Sequence, residues 1–416
     1  MLKAERKPRR ETFFRRIRGI YKPEARIGKF LSALLLSGIA YGLYKGVQDN
    51  YLAEIVHISE FQRGVVEFFR ELPGLMVVLI LAALYRFSEN QVFKIGMAIM
   101  LAGLAGLLAG GSGKITVILF ITVYSLGEHI VLPLRSAMSL ERAKPGKGGA
   151  SLGVISGINQ IGHIAGFLIV VFLFFLLNRF NIHIGETGGF KIVFGLGTAL
   201  SAAAVLVSAA MRESSAPVRR QPFYFARKFK TYYMLEMFYG ARKQIFITFA
   251  PYVLILQYGA STSTISLLLA VTAAFGVLSA PLIGKFIDRV GYKTVMVGDT
   301  IVLVLVCVLY GFAHRIFPLH IAYIVVCVNY VLDSIISLAS MASSMYVKDI
   351  AANQQEITMT VSTGVSVNHI MSILIALLGG WIWETLGIET LFTMSALLGL
   401  ANSAYAATIK TKPKAG

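Results

Sequence analysis

The chain is a succession of long apolar runs separated by short polar connections. A membrane-crossing helix needs about 20 predominantly apolar residues. About twelve such runs can be traced: 29–53, 61–85, 92–108, 115–138, 150–177 and 190–211, then 230–256, 265–283, 295–312, 319–346, 357–383 and 391–409. They fall into two sets of six. Between the sets the composition changes abruptly, and Arg212, Arg219, Arg220, Arg227 and Lys228 share a segment with Pro217 and Pro222. The pattern predicts an all-α polytopic membrane protein with a basic tail (1–27), a six-helix bundle (28–211), a linker (212–229), a second six-helix bundle (230–409) and a short tail (410–416).

Composition agrees. Of 416 residues 56% are hydrophobic and 14% charged, which points away from a soluble globular chain. The N-terminus lacks the apolar core and small-residue cleavage site of a signal peptide. Cys307 and Cys327 lie in separate runs and form neither a metal cluster nor a disulfide framework. The net charge of +18 raises nucleic acid as a partner, but the distribution of charge argues otherwise. Basic residues collect in the N-terminal tail, at Arg142, Lys144 and Lys147, from Arg212 to Lys230, and at Lys410, Lys412 and Lys414, while 257–264 carries no charge. This positive-inside bias predicts a plasma (bacterial inner) membrane protein with cytoplasmic termini and linker, and no nucleic-acid partner. In the tail, Phe13, Phe14, Ile17 and Tyr21 recur at near-helical spacing among Arg15, Arg16 and Arg18. That spacing fits an interfacial helix on anionic lipid, or else a disordered tail that only sets topology.

Short repeats relate the two sets of runs. Tyr41-Gly42-x-x-Lys45 recurs as Tyr239-Gly240-x-x-Lys243, Tyr124-x-Leu126 as Tyr330-x-Leu332, and His163-Ile164 as His369-Ile370. Falling in order at corresponding runs, they predict two related halves. Between the runs at 265–283 and 295–312 stands Gly284-Lys285-Phe286-Ile287-Asp288-Arg289-Val290-Gly291-Tyr292-Lys293, which reads as a reversing turn of about ten residues. This G-x-x-x-D-R-x-G-x-K element, placed between two spans, resembles the signature loop of the major facilitator superfamily of secondary transporters. The resemblance implies twelve helices in two pseudo-symmetric six-helix bundles, and a gating role for Gly284, Asp288, Arg289, Gly291 and Lys293. The first-half counterpart, 84–90, lacks the Gly-x-x-x-Asp-Arg core.

Ionisable residues inside the runs are the candidate chemistry, because a charge at the bilayer centre costs roughly 2.5–3.5 kcal/mol or more and so faces a cavity or a partner. Lys45 and Asp49 lie four apart on one helical face. Glu67, Arg70 and Glu71 suit an interfacial or gating network as well as substrate contact. Glu128 and His129 fall near the middle of their run, Asp333 is their second-half counterpart and a partner for Arg242, and His163 and His369 occupy equivalent places. No histidine and carboxylate set has the spacing of a metal site, and no cofactor motif is present. Gly149-Ala150-Ser151-Leu152-Gly153 lacks the strand a nucleophile elbow needs, and Gly110 to Lys114 reads as a turn. The stretch Ala40-Tyr41-Gly42-Leu43-Tyr44-Lys45 also resembles the organophosphate and organic-anion exchangers of the superfamily. That likeness implies an anion site formed by Lys45, Arg242 or Lys243, and His163, with His369 at the equivalent place.

These readings converge on a non-enzymatic, monomeric secondary transporter. Its expected substrate is a small organic solute, an organic anion bearing a carboxylate or phosphate ester, moved by alternating access. Without an ATP-binding motif, an ion gradient or exchange must drive it. Protons are the expected coupling ion, carried by Glu128, Asp49 or Asp333, since a buried carboxylate is costly when charged. The alternatives are an exporter of a lipid or amphipathic drug, and a transporter-like sensor or assembly factor that moves nothing.

Overall fold

Polar punctuation decides where the helices begin and end. A computed structural model describes residues 17, 19–211 and 224–409, the side chains of Gln354 and Thr358 excepted. Most of the expected interfacial helix, most of the linker and the C-terminal tail lie outside the described residues. The helices of the first half are α1 (Gly28–Ile55, its last turn a π-helix), α2 (Glu60–Ala83), α3 (Glu89–Ala109), α4 (Lys114–Arg142), α5 (Gly148–Arg179) and α6 (Gly188–Ala209). Those of the second are α7 (Lys230–Tyr258), α8 (Thr262–Val290), α9 (Tyr292–Ile316), α10 (Leu319–Ile350, with a 3-10 turn at Ser337–Ser340), α11 (Gln354–Leu386) and α12 (Ile388–Ala407). Ser59 with Gln62 and Ser88 with Gln91 form capping boxes at the starts of α2 and α3. Gly291 and Gly387, at φ 88° and 89°, reverse the chain between α8 and α9 and between α11 and α12.

Nine of these helices, among the described residues, are long and apolar enough to cross a membrane by composition alone. The remainder include α2 and α7, whose hydropathy is lowered by charges that the fold turns inward: Arg63, Glu67 and Glu71 of α2 and Glu236 and Arg242 of α7 are buried. The protein is an integral membrane protein of twelve helices in two pseudo-symmetric six-helix bundles. One expectation needs correction. The ten-residue turn at 284–293 is mostly helix, because α8 continues to Val290 and only Gly291 separates it from α9. At the described end of the tail Ile17, Gly19 and Ile20 are helical, while Tyr21 is buried, pairs as an isolated β-bridge with Ala143, and donates its hydroxyl to the Ser151 carbonyl at 3.1 Å.

Glycine sets the closest helix approaches. A Cβ at Gly42 of α1 would lie 2.3 Å from the His163 carbonyl oxygen of α5, and one at Gly166 would lie 2.4 Å from that of Ile39. The repeat reproduces this in the second half, where a Cβ at Gly240 would lie 2.9 Å from the Asn368 carbonyl of α11. Each half is thus welded along α1/α5 or α7/α11 by backbone contact. The halves meet along two symmetry-related seams, α2 with α11 and α5 with α8. Hydrogen bonds between the halves gather toward the side opposite the termini: Tyr252 to the Ile58 carbonyl (2.7 Å), Asn50 to the Ala260 carbonyl (2.9 Å), Ser266 to the Gly46 carbonyl (2.7 Å), and Ser59 to Glu384 (2.7 Å). On the termini side, a Cβ at Gly149, Gly153 and Gly157 of α5, or at Gly276 and Gly284 of α8, would meet nothing within 4 Å. The glycine ladder of α5 is therefore a packing device only from Gly162 onward.

Gly42→Ala should lower the thermal unfolding temperature of the detergent-solubilised protein, because overpacking against backbone costs about 1–3 kcal/mol. Gly157→Ala, with open space around it, should leave that temperature within a degree or two of the parent, as expected for changes within about 0.5 kcal/mol.

Candidate functional site

The centre of the molecule is a chain of charges alternating in sign. Lys45 Nζ donates to Asp49 Oδ2 (3.0 Å), and Arg63 Nη2 donates to Asp49 Oδ1 (3.1 Å). Arg63 Nη1 donates to Glu67 Oε2 (2.9 Å), and Arg70 Nη2 donates to Glu67 Oε1 (2.6 Å) and to Glu71 Oε1. His369 Nδ1 meets Glu71 Oε2 at 2.7 Å. Helical spacing produces much of this: Lys45 and Asp49, and Arg63 and Glu67, are i,i+4 pairs, while Glu67 and Arg70 are an i,i+3 pair. Two links belong to the second half, His369 of α11 and Gln244 of α7, which donates to Glu67 Oε1 at 2.8 Å. Arg63 is wholly buried, and its guanidinium also lies over the Tyr252 ring of α7 at 5.8 Å. The cations Lys45, Arg63 and Arg70 balance the carboxylates Asp49, Glu67 and Glu71.

Two cavities flank this chain, one in each half. The first, about 90 Å³, is lined by Ser37, Tyr41, Glu128, Arg135, Asn159 and His163. His163 stacks on Tyr41 with ring centroids 4.3 Å apart and lies 3.0 Å from Asn159 Nδ2. The second, about 270 Å³, is lined by Tyr239, Lys243, Ile247, Thr272, Tyr330 and Asp333. Lys243 Nζ reaches Asn368 Oδ1 at 3.4 Å.

The residues expected from sequence sort into three groups. Lys45 and Asp49 pair with each other, and Asp49 is held by Arg63 as well. Glu128, His163, Lys243 and Asp333 line the two cavities. Arg242 stands apart in a third, smaller cavity with Glu236 and Asp299. Its expected ion pair with Asp333 does not form: Arg242 donates to Ser337 Oγ at 3.3 Å, and Asp333 Oδ1 is buried without a hydrogen-bond partner. Glu128 and His129 do not pair either, since successive helical residues point about 100° apart. His129 Nδ1 lies 2.9 Å from the Ser125 carbonyl, and its ring meets His369 edge-on at 5.2 Å. Glu71, His129 and His369, from three helices, thereby converge where no local spacing indicated a metal-ligand set. At the signature loop, Lys293 Nζ donates to the Ile409 carbonyl (2.9 Å) and fastens the start of α9 to the end of α12.

Sequence reasoning missed Arg63, Arg135 and Gln244. Arg63 precedes Glu67 by four residues, and Arg135 follows Glu128 by seven, so both share a helical face with a residue already singled out. Gln244 carried no such signal, because its partner is on another helix in the other half.

Residues 232–416 match the sequence model of the Major Facilitator Superfamily. No curated protein sequence matches the chain. Among solved structures, the chain is similar to the nucleoside transporter NupG (TM-score 0.72, 18% identity, covering 92% of this chain and 100% of that one). It is also similar to the peptide transporter POT in complex with sulfate (0.70, 14%, 95% and 96%) and to a D-xylose-proton symporter (0.69, 13%, 93% and 98%). The second half thus carries that superfamily's sequence pattern, and the chain as a whole shares the fold of these solved transporters.

Arg63→Gln should lower the unfolding temperature strongly, because it leaves Asp49 and Glu67 as buried charges short of a partner, a defect of about 3–5 kcal/mol. Lys45→Gln, at the less buried end of the chain, should lower it far less. Equal shifts would show that the chain is not a coupled unit.

Proposed function

We propose that the protein is a secondary transporter that carries a small organic anion, bearing a carboxylate or phosphate group, between its two halves. The observation that carries this reading is the pair of cavities, each lined by a cation without a carboxylate at ion-pair distance among the described residues: Arg135 in the first half and Lys243 in the second. Desolvated cations need a counter-charge, and a mobile anion supplies one. This moves the expected site. Lys45 already has Asp49, whereas the pseudo-equivalent Lys243 has Ile247 at the fourth position onward. Lys243 is therefore the anion ligand, Arg135 its first-half partner, and Tyr41, Asn159, His163, Tyr239 and Tyr330 give hydrogen bonds and stacking. The similar structures are named for nucleosides, peptides and xylose, which supports a small polar organic solute as cargo, while its anionic group rests on the two cations.

With the termini cytoplasmic, as the charge distribution indicates, the sealed side is external and the conformation is inward-facing. The two halves rock about the centre to expose the cavities to each side in turn. The element from Gly284 to Lys293, with Asp288 and Arg289, sets the balance between conformations at the cytoplasmic face. Coupling to protons falls to Glu128, which makes no hydrogen bond or ion pair among the described residues, with Asp333 as the second candidate. Asp49 is instead held in the charge chain by Lys45 and Arg63.

Thermal-shift measurements on the purified protein, over carboxylates, phosphate esters, sugars, nucleosides and amines, should find stabilisation by anions. Lys243→Ala and Arg135→Ala should each weaken anion binding by about 10- to 100-fold, the loss of one charge-assisted hydrogen bond worth about 1.5–3 kcal/mol. Stabilisation by neutral solutes alone, or full anion binding by both variants, would overturn the assignment. In proteoliposomes, Glu128→Gln should exchange the substrate but fail to accumulate it against its gradient. Uphill accumulation with unchanged pH dependence would rule Glu128 out.

A further inference from the structure

We propose that Glu71, His129 and His369 form a binding site for a divalent transition-metal cation, and that the bound cation clamps the two halves together. One carboxylate oxygen and one nitrogen from each imidazole lie within 4.8 Å of one another. Glu71 and His129 are buried and His369 nearly so. The backbone has been cleared for them. A Cβ at Gly74 would lie 2.6 Å from His129 Nε2 and 2.8 Å from His369 Cε1, so both rings converge over a glycine and any side chain there would fill the space.

The chemistry of the donors favours an ion of zinc type. His129 Nδ1 faces the Ser125 carbonyl at 2.9 Å, a contact that places the ring proton on Nδ1 and leaves the Nε2 lone pair directed at the cluster. That is the outer-sphere arrangement that orients metal-bound histidines. Two imidazoles and a single carboxylate suit zinc and its neighbours, whereas calcium and magnesium require more oxygen ligands. Zinc ligands about 2.0–2.1 Å from the metal stand roughly 3.3 Å apart in a tetrahedron, so modest side-chain rotation closes the site, and water takes the fourth position. On binding, His369 exchanges its hydrogen bond to Glu71 Oε2 (2.7 Å) for a metal bond, while Arg70 keeps its contact to Glu71 Oε1.

Location gives the site its consequence. Glu71 on α2 and His129 on α4 belong to the first half, and His369 on α11 belongs to the second. A cation shared among them cross-links the α2/α11 seam near the middle of the membrane and selects the conformation described here. Only the clamp, not the binding, rests on the transporter reading.

The test uses the full-length protein purified without a polyhistidine tag. Equilibrium dialysis against Zn2+ with elemental analysis should give one ion per chain and a raised unfolding temperature. His129→Gln and His369→Gln should each lose both effects, while His320→Gln, on a histidine outside the cluster, should keep them. No uptake by the parent, or uptake undiminished in both cluster variants, overturns the site, and the parent measurement stands even if a variant misfolds. For the clamp, spin labels at Gly149→Cys and Gly284→Cys, on the open faces of α5 and α8, report the separation of the halves. Zn2+ should narrow the distance distribution in the parent and leave that of His369→Gln unchanged. Binding without narrowing overturns the clamp. Failure to find any transported solute would leave the dialysis result untouched, so the two readings fail separately.

Discussion

The buried charge chain from Lys45 to His369 is the constraint on which the rest depends. Each member is costly in a membrane unless its neighbours compensate it, and here every cation is flanked by carboxylates and every carboxylate by cations or histidine. The arrangement fixes more than stability. Asp49 can reach Arg63 only if α1 and α2 stay in register, and Glu71 can reach His369 only if α2 lies against α11. Alternating charges thereby specify which helices are neighbours and at what height, which apolar packing in lipid does poorly because lipid tails compete equally well for apolar surface.

The same constraint divides the molecule into rigid and movable parts. Within each half, Gly42 against α5 and Gly240 against α11 bring helices to backbone contact. Between the halves the backbones also meet, a Cβ at Gly64 of α2 lying 2.2 Å from the Ala376 carbonyl oxygen of α11, and side chains add further links: Gln244 to Glu67, His369 to Glu71, Tyr252 to the Ile58 carbonyl. Hydrogen bonds of that kind can be exchanged for others at modest net cost, about 1 kcal/mol each. On the proposed transporter reading these side-chain links are the ones exchanged as the halves move, and they lie from the middle of the membrane toward the side opposite the termini.

What was legible in the sequence was whatever is encoded within one helix. The apolar runs and the Lys45/Asp49 pair depend on residues a few positions apart, and the structure has them where periodicity put them. The misreadings arose wherever partners sit on different helices. Asp333 and Arg242 looked like complements by charge alone, yet the fold gives Arg242 to Ser337. The convergence of Glu71, His129 and His369 leaves no trace in spacing, since the residues stand on α2, α4 and α11. The loop at 284–293 was read as a turn because its glycines and charges look like one. Only Gly291 adopts a turn conformation, and the polar residues before it are the solvent end of α8.

The repeat carries a further lesson in how it is broken. Lys45 and Lys243 descend to the same place in the two halves, each one turn below the tyrosine and glycine that fix its helix. One turn further on, the first half has Asp49 and the second has Ile247. On the proposed reading, that single difference gives the two lysines opposite tasks. Lys45 has its counter-ion built in and joins the chain that holds the halves together. Lys243 faces a cavity it shares with Asp333, with Ile247 where the i,i+4 counter-ion would be, and in the proposed site its charge is met by the anion that enters. On the reading proposed here, a symmetric scaffold becomes a carrier by satisfying one copy of a charge internally and leaving the other to the cargo.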